Sequence, residues 1–286
     1  MSTETKTESK LSKYYRAPKL YVQIPSQGAF NPEMEQSMSG ELAIMAMTGR
    51  DEVLTKNPDA LLNGEAITSI IKSCVPGIGN PKDIPITDVD TLLIAIKIAS
   101  SGDEHEVSAK CPACKSETRV TVNMRNLLAT AKMLESEYVV TLDTGIKVYI
   151  KPYTYQMQTE AALSAFNETK AIQQLATEGK DISADAMSVY NKSFNKMADM
   201  SVSLLARSIQ KIVTPEGDEE SHAGEIFTFL QNIDSTAARK IDEKLAEINS
   251  LDIDKRISLT CDDSKCSKEW ETVLDINPTD FFVTGS

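Results

Sequence analysis

Between Tyr14 and Ile24 strand-forming residues alternate with others until Pro25 and Gly28 close the run, which predicts a strand or an extended arm. A second extended piece, Glu41 to Met47, leads into Thr48. The Thr-x-x-Asp spacing of Thr48 and Asp51 marks a helix start, with aspartate in place of the usual longer acid. Between Gly64 and Pro76, residues Ile67, Ile70, Ile71 and Cys74 fall at i, i+3, i+4 and i+7, one face of a helix. Thr87 or Asp88 can cap the next helix, which runs to Ser101, is apolar nearly all round and stops at Gly102. A helix with so little polar face belongs in the core.

The pattern then shortens. A strand at Glu106 to Lys110, the knuckle Cys111-Pro112-Ala113-Cys114 and a strand at Thr118 to Asn123 come first. A hairpin follows, Tyr138 to Leu142 and Ile146 to Ile150, turning at Asp143-Thr144-Gly145. Two long helices are predicted over 155–178 and 184–213, broken at Gly179 and capped at Ser183 or Asp181. In the second, Met187, Tyr190, Phe194 and Met197 form a three-four-three seam, read as packing within the chain, with a partner-facing seam as the alternative. An acidic loop, Pro215 to Ser221, precedes two helices outlined by Ile226, Phe229 and Leu230 and by Ile241, Leu245 and Ile248, the latter capped by Asp234 or Ser235. The end returns to strand at Arg256 to Thr260 and Trp270 to Leu274, around a second knuckle from Cys261 to Cys266.

The fold class that follows is α+β, with a zinc-ribbon-like β module into which a mainly helical body is inserted between the two cysteine knuckles. Its expected organisation is a flexible tail at 1–13, an α/β region at 14–105, a β module from 106–151 plus 255–286, and the helical insertion at 152–254.

Composition narrows the function. A chain of 286 residues can bury a core without disulfides, and its 41% apolar and 25% charged residues are ordinary globular usage. The polar opening MSTETKTESK has no apolar centre to act as a secretory signal, and Leu92 to Ala99 is too short to cross a bilayer. Thirty basic against 42 acidic residues give a formal charge of −12, a field that repels phosphate backbones, so nucleic acid is not an expected partner; with no segment able to insert, neither is a membrane. Five cysteines without an export signal point to the cytoplasm, where paired thiols bind metal more often than they form disulfides.

The thiols carry the one chemical motif. Cys111 and Cys114 are spaced C-x2-C, Cys261 and Cys266 C-x4-C, and each pair lies between two strands. Two such knuckles supply the four soft ligands of a tetrahedral zinc ion, one per chain. Lys110, Lys115, Arg119, Lys265 and Lys268 are close enough in sequence to offset its charge. With every corner taken by cysteine no position remains for water or substrate, so the site is expected to be structural. Unremarkable free thiols, separate disulfides and a redox CxxC are the alternatives, the last disfavoured because β-type residues follow the motif. Cys74, on an apolar helix face, is read as a small buried hydrophobe. His105 and His222 are read as solvated surface residues, and neither a phosphate-cradling loop nor a nucleophile elbow is present. No enzymatic activity and no small-molecule substrate are expected.

Several ordered segments resemble the T-even-type bacteriophage baseplate protein family. They are Tyr15-Arg16-Ala17-Pro18-Lys19-Leu20-Tyr21-Val22-Gln23-Ile24-Pro25-Ser26, Met47-Thr48-Gly49-Arg50-Asp51-Glu52, Asn57-Pro58-Asp59-Ala60-Leu61-Leu62-Asn63-Gly64, Ser73-Cys74-Val75-Pro76 and Asp83-Ile84-Pro85. The helix from Asp90 to Ala99, both knuckles, and Asn277 to Phe282 extend the likeness. The resemblance implies a hub subunit or hub-assembly chaperone of a contractile tail's baseplate, with other hub proteins as partners, working in the host bacterial cytoplasm and present in or released from the virion. A zinc-ribbon nucleic-acid-binding or transcription factor is the alternative, and it lacks the basic, aromatic face that role needs.

Overall fold

Helix α4 (Ile86–Ser101) is buried at twelve of its sixteen positions, because no stripe of its sequence is polar enough to face water. Around it the computed structural model describes residues 11–31, 33–35, 37–177, 184–276 and 281–282, with backbone alone at 12, 58, 62, 171–177 and 184–190. A two-stranded sheet of β1 (Leu20–Val22) and β2 (Leu42–Ile44) lies on α4, in register Leu20 to Ile44. The extended arm expected from Tyr14 to Ile24 is therefore a strand only at its centre, preceded by one 3-10 turn at Ser12–Tyr14.

Helices α1 (Gly49–Leu54), α2 (Pro58–Leu62) and α3 (Glu65–Cys74) pack together beside the sheet. Thr48 and Asp51 make the full capping box: the Thr48 hydroxyl accepts from the Asp51 N–H, and the Asp51 carboxylate accepts from the Thr48 N–H at 2.7 Å. Gly64 precedes α3 at φ +75, and a Cβ there would meet Thr159 Oγ1 at 2.9 Å, so this turn takes no other residue without displacement.

A second core forms over a four-stranded antiparallel sheet of β5 (Tyr138–Thr141), β6 (Lys147–Ile150), β7 (Ile209–Val213) and β8 (Glu219–Glu220), in that order. Ile226, Leu230, Ile241, Leu245 and Ile248 cover it from α8 (Ala223–Asn232) and α9 (Ser235–Asn249), and Asp234 caps α9 as expected. Between sheet strands β6 and β7 runs a helical pair, α6 (Tyr155–Thr177) and α7 (Ala184–Arg207). Here the sequence expectation is corrected: the helix predicted over 184–213 stops at Arg207, and its last residues are β7. The acidic loop contains β8. The proposed caps Ser183 and Asp181 lie outside the described residues, as does most of the tail at 1–13.

The remaining strands form two hairpins, β3 (Glu104–Lys110) with β4 (Glu117–Asn123) and β9 (Arg256–Thr260) with β10 (Glu269–Val273). A short helix, α5 (Met124–Leu128), follows β4 and returns the chain to α4. Mixed helices and small antiparallel sheets make the architecture α+β. Among the described residues no helix is long and apolar enough to cross a membrane.

Candidate metal centre

Each hairpin ends in a cysteine knuckle, and the two knuckles close in the same way. In the first, the Cys111 N–H donates to the Ser116 carbonyl at 2.8 Å; in the second, the Cys261 N–H donates to the Lys268 carbonyl at 2.9 Å. In both, the acceptor lies two residues beyond the second cysteine. The residue between takes a positive φ, Lys115 at 66° and Ser267 at 41°, a conformation that non-glycine residues seldom adopt. The strain is accepted at equivalent points of two unequal loops, where it turns the second thiol back toward the first.

The hairpins meet through β4 and β9, and Asp262 ties them. Its N–H donates to Thr118 Oγ1 and its carboxylate accepts from the Arg119 N–H, both at 3.4 Å. Residues 147 and 155 positions apart are thereby brought together: Cys114 Sγ is 3.5 Å from Cys261 Sγ, and Cys111 Sγ is 3.8 Å from Cys266 Sγ, respectively. All four sulfurs lie within 4.8 Å of one another. No cysteine is disulfide-bonded. A tetrahedral ion with sulfurs at about 2.3 Å needs them about 3.8 Å apart, which is the spacing observed between paired thiols.

The Ser116 hydroxyl reaches both Cys114 Sγ, at 2.9 Å, and Cys261 Sγ, at 3.2 Å. Hydrogen bonds from its hydroxyl and its N–H pull the Cys114 thiol down to about 6. Cys266 accepts from the Lys268 N–H, which lowers it, yet burial and the three neighbouring thiols push it up to about 12. Four thiols at this separation do not all ionise without a cation among them. Cys111 and Cys261 are buried whereas Cys114 is exposed, so the cluster opens on one side. The five bases expected to offset its charge, Lys110, Lys115, Arg119, Lys265 and Lys268, are all exposed around the two hairpins.

The other candidate residues fall elsewhere. Cys74 is fully buried, as read, and also accepts from Arg16 Nη1 at 3.7 Å; burial raises its thiol to about 11. Arg16 further donates to the Ala46 and Ser73 carbonyls, at 2.6 and 2.5 Å, and stands 3.7 Å from Asp51, fastening the N-terminal arm to α3. His222 is exposed at the start of α8. His105 is not the solvated residue expected. It is half-buried in β3, edge-on to Phe281 at 5.2 Å, and burial and the nearby Lys97 lower its pKa. Asp88 is no helix cap either: α4 starts at Ile86, and Asp88, fully buried, accepts from the Ser26 N–H at 2.8 Å and the Ser26 hydroxyl at 2.5 Å.

No curated protein and no solved structure matches the chain. One family does, that described as T4 bacteriophage base plate protein, matched over residues 29–283. The match spans both knuckles, the helical pair, the second core and most of the first. By that extent the chain belongs to the T4 bacteriophage base plate protein family.

Proposed function

We propose that the protein is a hub component or hub-assembly chaperone of the baseplate, that it works by binding other baseplate proteins, and that it carries out no catalytic turnover. Family membership carries this reading. In support, the acidic balance of the chain disfavours phosphate backbones, and the helical pair α6–α7 presents Phe166, Phe194 and Met197 to solvent, a common property of surfaces that meet another protein. Its place of action is the host cytoplasm during assembly. The test is co-purification of the tagged chain with baseplate proteins from infected cells; a chain that ignores them and binds DNA with a steep salt dependence overturns the reading in favour of a nucleic-acid-binding ribbon.

The same proposal assigns one structural zinc ion to Cys111, Cys114, Cys261 and Cys266, making the two hairpins a zinc ribbon. The donor set fits: four thiols at tetrahedral spacing and, among the described residues, no fifth metal-binding side chain in the cluster. Bound there, the ion supplies cross-linking and neutralises thiolate charge. The residues around it hold the thiols in place, Ser116 by hydrogen bonding to two of them and Asp262 by joining the hairpins.

A further inference from the structure

In a chain with 42 acidic and 30 basic residues, cations without carboxylate partners are informative. A groove of about 820 Å³ lies between α1, α3 and the loop through Gly79 to Lys82, and Arg50, Lys72 and Lys82 line it. Among the described residues none of the three pairs with a carboxylate; Lys72 donates to the Gly79 carbonyl and keeps its remaining N–H groups for a ligand. The groove's two acids do not cancel them. Asp51 is buried and committed to the Thr48 N–H and hydroxyl, the Ser73 hydroxyl and Arg16, while the exposed Glu33 is one carboxylate against three cations. Hydroxyls of Ser69 and Ser73 add polar contacts to the wall.

The opposite charge projects elsewhere on the same molecule. Residues 215–225 are all exposed; β8 itself carries Glu219 and Glu220, and the turn between β7 and β8 carries Glu216 and Asp218. Its shape is fixed by the Thr214 N–H on the Asp218 carbonyl at 2.9 Å and the Gly217 N–H on the Thr214 carbonyl at 3.0 Å. Lys211 engages Glu219 at 3.0 Å, and Glu220 accepts from the His222 N–H at 2.6 Å. Glu216 and Asp218 are exposed and, among the described residues, paired with no cation. An exposed acidic turn and a concave basic groove are complementary in charge, and no residue of the turn lines the groove of its own chain. We propose that the β7–β8 turn of one copy seats in the Arg50–Lys72–Lys82 groove of a second copy. The two surfaces differ, so the contact is head-to-tail and repeats around a ring or along a row. Elsewhere the net charge of −12 holds copies apart, so this one attraction sets the register of association.

Sedimentation velocity of the full chain over a concentration series, at low and at high salt, tests it. The expected result is association that weakens as salt rises, since both surfaces are solvent-exposed. Arg50→Glu with Lys82→Glu should weaken it at least tenfold, and so should Glu216→Lys with Asp218→Lys. None of these four side chains makes an internal hydrogen bond or ion pair among the described residues, so circular dichroism should be unchanged. An equimolar mixture of the two charge-reversed variants should regain association, because each now offers what the other lacks. A synthetic peptide of residues 211–222 should compete with the wild-type contact, which gives a readout that needs no variant. A wild-type chain that stays monomeric at low salt overturns the proposal, as does association that survives both reversals or a mixture that fails to associate. An acidic segment of a different protein as the groove's occupant corresponds to the first of those outcomes.

Discussion

The Asp88 carboxylate sits wholly inside the core with Ser26 as its sole hydrogen-bonding partner among the described residues and no cation beside it. Burial raises its pKa from 3.8 to about 7, against the lowering effect of the two Ser26 hydrogen bonds. Between those values the folded chain holds a proton that the unfolded chain has lost. The group's contribution to stability is therefore complete below the unfolded value and is lost as pH rises through about 7. A shift of roughly three units corresponds to roughly 4 kcal/mol. Urea unfolding from pH 4 to 8 should show Asp88→Asn gaining on the wild type as pH rises; parallel pH profiles would falsify this account. At the cysteines, elemental analysis should find near one zinc per wild-type chain; Cys261→Ser should lose it and melt at a lower midpoint, while Cys74→Ser should keep it. The four ligand candidates were legible because spacing and flanking strands are local patterns, and so was the Thr48–Asp51 cap. Asp88 and His105 were misread because their burial depends on Ser26 and Phe281, which arrive from distant parts of the chain.

Helix α7 shows what periodicity can and cannot carry. It marked the helix, but nothing in Ile209-Gln210-Lys211-Ile212-Val213 announces a change of element, since no glycine or proline separates it from Arg207. The strand forms because Lys211 and Ile212 find Tyr149 and Val148 of β6, partners some sixty positions earlier that propensity cannot supply. The Met187–Tyr190–Phe194–Met197 seam is corrected in part. Phe194 and Met197 are exposed at 64% and 47%, and α7 faces α6 with Lys196, paired to Glu168 at 2.6 Å. Side chains of Met187 and Tyr190 lie outside the described residues. Phe194→Ser should thus change stability by less than about 0.5 kcal/mol, yet weaken co-purification with baseplate proteins; unfolding of the helical pair contradicts that placement. At the entrance to β9, Lys255 bridges Asp90 of α4 and Asp252, each at 2.6 Å. Lys255→Met leaves two carboxylates facing one another in a partly buried setting, and urea unfolding should register a loss of about 1–3 kcal/mol, discounted for the partial exposure of the trio.

At the scale of the whole molecule, two cores share one chain whose knuckles lie far apart in sequence. Both halves of the four-thiol cluster are β-hairpins that bury little by themselves, so their mutual position depends on the tie through Asp262, on Lys255 and on whatever the sulfurs hold. Cys111 and Cys266 are 155 positions apart. On a ribosome adding about 5–20 residues per second, the first knuckle emerges roughly 8–30 s before the second exists. During that interval Cys111 and Cys114 are an incomplete pair, open to oxidation or to a borrowed ligand, while the intervening second core has time to fold. Closure of the cluster is therefore a late event, available only to chains translated past Cys266, and a product that stops before Cys261 carries two loose thiols by which it differs chemically from one that has passed it.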